Sequence, residues 1–60
     1  MLIYITQQGI ENPVIRVYKE SYYALHDTLL YSHSNVSKLE SGEVIESENG
    51  YVKVWKGWLN

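Results

Sequence analysis

The sequence predicts a small α+β domain of ββαββ order, a four-stranded antiparallel sheet packed on one helix. Three observations carry that expectation: two β-rich runs at the start of the chain, a helical stripe in the middle, and a hairpin signature near the end. The hairpin signature is the sharpest. Asn49-Gly50 lies between Glu43–Glu48 and Tyr51–Lys56, and a two-residue type I′ turn needs φ > 0 at both central positions, which Asn and Gly tolerate. The implied register sets Glu46 against Lys53, Ile45 against Val54, Val44 against Trp55 and Glu43 against Lys56. Two of these are opposite-charge pairs that support a cross-strand contact.

The first strand is read from Leu2-Ile3-Tyr4-Ile5-Thr6, which is rich in β-branched and aromatic residues. Gln7 to Pro13 forms a connection, because Asn12-Pro13 favours a turn and proline cannot donate to a sheet ladder. Val14-Ile15-Arg16-Val17-Tyr18-Lys19 is the second strand. Alternation then puts Ile3, Ile5, Ile15 and Val17 on one face and Tyr4, Arg16 and Tyr18 on the other, and the aliphatic set is the expected core. Ser21 is placed as the N-cap of a helix from Tyr22 to Tyr31, with Tyr22, Leu25, His26 and Leu29 along the packed stripe. Ser32 to Ser37 reads as a polar connection, followed by one short helical turn around Val36 and Leu39 that stops near Gly42. In the closing hairpin Ile45, Val52, Val54 and Trp58 are the core candidates, and Val44, Tyr51 and Trp55 face the other way.

Sixty residues make a single domain, 1–60, which buries only roughly 60% of the surface of its unfolded chain. There is no Cys, hence no disulfide, and two His with no thiol make no structural zinc site. Oligomerisation or partner binding is the remaining source of stability, and a homodimer is expected. The longest apolar run, Leu2 to Ile5, is too short to span a bilayer or to form a signal-peptide core, which gives a cytoplasmic reading with no membrane partner. A formal charge of −2 argues against nucleic acid held by bulk electrostatics. A basic aromatic sheet face built from Arg16, Lys19, Lys53 and Lys56 with Tyr4, Tyr18 and Trp55 is the weaker option beside an ordinary solvated face.

No residue pattern names a reaction. No Ser lies in a nucleophile elbow, no glycine-rich phosphate loop occurs, and His26 and His33, two helical turns apart on one face, stand roughly 10 Å from each other, too far to share a metal ion. The expectation is a non-enzyme without cofactor or metal. Glu40, Glu43, Glu46 and Glu48 fall in one segment that contains no Lys or Arg, and the aromatics are six Tyr and two Trp with no Phe. Tyr and Trp suit interfaces, since each joins an apolar ring to a polar tip. The expected partner is another protein, bound by an acidic, aromatic β surface of Tyr51, Trp55, Glu43, Glu46, Glu48 and Tyr18. A small Cys-free chain that opens on Met suits the inhibitors or adaptors made by phages and other mobile elements.

The order of two hairpins flanking a short helix, with Val14-Ile15-Arg16-Val17 and the last hairpin in corresponding positions, resembles the swapped-hairpin AbrB/MazE-type DNA-binding domains. The resemblance implies an interdigitated homodimer acting as a DNA-binding regulator or antitoxin. It is the alternative function.

Overall fold

A computed structural model describes residues 1–60. The elements are β1 (Leu2–Gln8), β2 (Val14–Tyr18), α1 (Ser21–Asp27), α2 (His33–Glu40), β3 (Ile45–Glu46) and β4 (Val52–Trp58). The chain is a small α+β domain whose four strands form one antiparallel sheet in the order β2-β1-β4-β3. The first and last strands are therefore its centre, paired from Leu2–Trp58 to Gln8–Val52. This pairing joins the two hairpins into one sheet. Gly9, at φ 108°, turns the chain out of β1, and a Cβ there would stand 3.3 Å from the Asn12 carbonyl oxygen. The loop therefore excludes a side chain at that point.

Two helices cover the sheet where one and a short turn were expected. α1 starts at Ser21, and the residue preceding it, Glu20, provides no side-chain cap, so Ser21 is not the N-cap. It ends at Asp27, four residues before Tyr31, because Leu29 adopts φ 62° and breaks the helical path. The amide of Leu30 then donates to the Leu25 carbonyl and that of Leu29 to His26, the reversed closure of a Schellman motif. The segment read as a polar connection is instead the start of α2, because the Ser32 hydroxyl accepts from the Asn35 amide and nucleates the first turn. α2 ends with the same closure, Glu43 donating to Lys38 and Gly42 to Leu39, with Gly42 at φ 99°.

Both helices lie on one side of the sheet, and the packed core is Tyr4, Ala24, Leu25, Leu39, Ile45 and Val54, edged by Tyr18, Leu30 and Val36. This inverts the expected face of the first hairpin. Tyr4 and Tyr18 point toward the helices, and Ile3, Ile5, Ile15 and Val17 point away, although Ile3 is buried, as expected, at 6% exposure. Tyrosine tolerates the covered side because each ring packs while its hydroxyl finds a carboxylate at the margin, Tyr4 on Glu40 and Tyr18 on Asp27. The α1 stripe is also rotated: Ala24, Leu25 and Thr28 are buried, whereas Tyr22, His26 and Leu29 are exposed. In the closing hairpin Ile45 and Val54 are buried as expected, Val52 is only half-buried, and Trp58, at the end of the sheet, is 69% exposed.

The closing register matches the reading at Ile45–Val54 and Glu46–Lys53, but the ladder stops there. Lys56 does not pair with Glu43, and its Nζ donates to the Glu40 carbonyl. The turn is not type I′ either. Gly50 has φ 72°, whereas Asn49 is not in the left-handed region. Gly50 N–H donates to the Ser47 carbonyl, Ser47 N–H to the Val52 carbonyl, and Asn49 Oδ1 accepts from the Tyr51 amide. A four-residue loop with one left-handed glycine preserves the register that a two-residue turn would have set.

Candidate binding face

The side of the sheet away from the helices has no layer over it. Antiparallel pairing places directly opposed residues on one face, so its rows read Val17–Ile5–Trp55, Ile15–Gln7–Lys53–Glu46 and Ile3–Gly57. A side chain at Gly57 would place its Cβ 3.0 Å from Ile5 Cδ1 and 3.9 Å from Ile3 Cγ1. The two isoleucines thus lean across the bare glycine and close the apolar surface there. Ile15 and Val17, on the edge strand β2, are 52% and 55% exposed, and Trp55 at the centre is half-buried. Lys53 and Glu46 are the charged residues of these rows, and they face each other across β3 and β4.

The six residues read from the sequence as a partner surface divide among four places. Trp55 and Glu46 lie on the open face, and Tyr51, half exposed, continues their side of the chain just before β4, where its carbonyl accepts from the Gly9 amide. Glu48 is exposed in the closing loop. Glu43 is exposed in the α2–β3 connection, where its carboxylate accepts from the Ser41 hydroxyl. Tyr18 is on the helix side and donates to Asp27, which also pairs with Arg16 at 3.4 Å. The basic aromatic face is split in the same way, since Tyr4, Arg16, Tyr18 and Lys56 alternate to the helix side while Lys53 and Trp55 take the open one.

The acidic segment is divided as well. Glu40 accepts from the Tyr4 hydroxyl at 2.7 Å on the helix side. That contact and the hydroxyl of Ser21, with Lys56 nearby, hold its carboxyl below the usual carboxylate range. Burial first, and the hydrogen bond to Glu40 second, push the Tyr4 hydroxyl up to about 12. Tyr18 is shifted in the same direction by its bond to Asp27. These groups fasten the helices to the sheet.

A second surface group escaped the sequence reading. Tyr22, Tyr23, His26, Tyr31 and His33 form a chain of rings across the helix corner, with His26 stacked on Tyr31 at 4.2 Å and Tyr22 4.3 Å from His26. The i, i+4 spacing of Tyr22 and His26 signalled part of it, but His33 joins only because the corner folds back. The two His therefore lie on separate helices, each beside Tyr31, and not on a shared helical face. No concave pocket opens on the surface, and no three His, Cys, Asp or Glu come together in metal-binding geometry. No helix is long and apolar enough to cross a membrane. Compared with family models, with curated proteins and with solved structures, the chain matches none.

Proposed function

We propose that this chain is a non-enzymatic protein-binding module whose contact surface is the open sheet face, centred on Trp55. The observation that supports this reading is the distribution of aliphatic side chains. An antiparallel sheet with one solvated face ordinarily alternates apolar inward and polar outward. Here Ile15 and Val17 are more than half exposed on the uncovered side, beside the half-buried Ile5 and Trp55, and only Ile3 of that side is buried. A contiguous apolar patch of that kind marks an interaction surface, and a flat face suits another protein better than a small substrate, which needs a concave site. An inhibitor or adaptor of the phage or mobile-element kind fits the proposal, because such a chain acts by occupying a surface.

The test pairs affinity capture with a gel shift. Immobilised chain should retain a protein from bacterial lysate that the Val17→Glu variant does not, and the chain should leave duplex DNA unshifted at low salt. Equal retention by both forms overturns the open-face reading. A DNA shift would favour the regulator or antitoxin alternative.

A further inference from the structure

We infer that the occupant of the open face is a second copy of this chain, packed sheet to sheet about a two-fold axis to give a helix–sheet–sheet–helix sandwich. This rests on the open-face reading and names its partner. Three features of the molecule bear on a copy of itself: the size of the face sets how tightly it can pair, and its charge and shape favour the pairing. The first is area. The chain is a slab of 28 × 27 × 17 Å, one sheet and one helical layer thick. Strands about 4.8 Å apart, rising about 3.4 Å per residue and holding seven, five, seven and two residues, give the sheet a face of roughly 340 Å², so two such faces in contact outline on the order of 700 Å² together. That falls short of the roughly 1,000 Å² of a stable interface and is the size of a weak, reversible one.

The second is charge. The formal charge of the chain is −2, but the open-face rows hold one Lys and one Glu that already face each other. The excess acids lie elsewhere: Glu40 on the helix side, Glu43 and Glu48 in loops, and Asp27 beside Arg16. An electrically balanced, apolar face presents no field to select an oppositely charged partner and none to repel its own copy. A two-fold interface requires such self-complementarity, because each patch meets itself. The third is shape. Two twisted antiparallel sheets pack face to face at roughly 10 Å with their strands within about 30°. The rows Val17–Ile5–Trp55 and Ile3–Gly57, smoothed where the isoleucines cover Gly57, supply the aliphatic inner layer that packing needs.

An interface below that size predicts a weak dimer that dissociates at roughly tens of micromolar or above rather than a permanent one. Sedimentation equilibrium of the full chain from 5 to 500 µM (about these bounds) tests it, with 1-anilinonaphthalene-8-sulfonate fluorescence as a probe of bare apolar surface. The weight-average mass should rise to twice that of the chain. Ile15→Glu and Val17→Glu, at side chains already half exposed, should raise the dissociation constant at least tenfold with an unchanged circular dichroism spectrum. Tyr23→Glu, on the helical layer, should leave it unaltered. A chain that stays monomeric throughout overturns the second-copy inference. If that monomer binds the dye and Ile15→Glu abolishes the binding, the open face remains bare for a different protein and the docking proposal stands. A dimer indifferent to both open-face variants overturns the inference and the docking proposal together.

Discussion

The two faces of one sheet differ in the direction opposite to the usual one. On the covered side the rows read Tyr18–Tyr4–Lys56 and Arg16–Thr6–Val54–Ile45, and on the open side Val17–Ile5–Trp55 and Ile3–Gly57. The side that packs is the more polar. Its tyrosines, Arg16 and Lys56 reach Asp27 and Glu40 on the helices, so polar tips are satisfied at the margin while rings and stems fill the interior. The difference teaches that burial in a chain this short follows which side the helices return to, and that amphipathic side chains can line that side when partners stand at its rim.

If covered and open faces are energetically distinct, truncations on them should differ severalfold. Leu39 is fully buried between helix and sheet, and Leu39→Ala should cost about 3 kcal/mol, which leaves a domain of this size largely unfolded. Ile15→Ala, in dilute solution where the chain is monomeric, should cost less than about 1 kcal/mol. Urea unfolding of both at low concentration measures the contrast, and equal losses would break it.

The covered face should also make stability depend on pH at both extremes. The Tyr4 hydroxyl keeps its proton in the folded chain up to about 12, whereas the unfolded chain releases it near 10.0. Between those values the unfolded state binds fewer protons, so stability falls as pH rises. Glu40 has the opposite sign: its folded value lies below 4.5, so its contribution is present above that pH and is lost as pH falls below it. Tyr4→Phe should flatten the alkaline decline, with a remainder from Tyr18, which is shifted the same way. Melting temperatures measured from pH 8 to about 12 decide this, and parallel curves for variant and parent would break the assignment.

Thr6 sharpens the comparison from inside. Its hydroxyl, on the covered face between Arg16 and Val54, is fully buried and has no hydrogen-bond partner. Replacing an unpaired buried hydroxyl by a methyl of similar shape removes a desolvation cost, so Thr6→Val should stabilise the chain by about 1 kcal/mol. A destabilised variant in thermal unfolding would mean that the hydroxyl is satisfied in solution.

The smallest expected effect lies where the two helices end. They close with the same pair of hydrogen bonds, but the left-handed position holds Gly42 after α2 and Leu29, 91% exposed, after α1. Leucine pays for that conformation through the clash of its Cβ with the following carbonyl. Leu29→Gly should stabilise by about 0.5–1 kcal/mol, the strain relief being partly offset by the freedom glycine has in the unfolded chain. A loss of stability in denaturant unfolding would instead show that the Leu29 side chain makes a stabilising contact.

Local chemistry in the sequence determined the strands, the register at Ile45–Val54 and Glu46–Lys53, and the need for a left-handed residue at Gly50, because alternation and turn geometry act over a few residues. It also determined that Trp55 lies opposite Val54 and Ile45. It did not determine which face of the first hairpin is inside. Both sets there are apolar enough to bury, and the choice was made by β1 pairing with β4, which aligned Tyr4 and Thr6 with the side on which α1 and α2 pack. The early end of α1 was equally illegible, since leucine carries no propensity for the conformation Leu29 adopts, and it is held there by the packing of Leu25 and Leu30 against the core together with the closing hydrogen bonds and the Asn35 side chain donating to the Leu30 carbonyl. The sequence set the local geometry of each element. The tertiary structure decided which side of the sheet faces the solvent, because that depends on contacts between segments more than thirty residues apart, such as Tyr4 with Glu40 and Ile5 with Trp55.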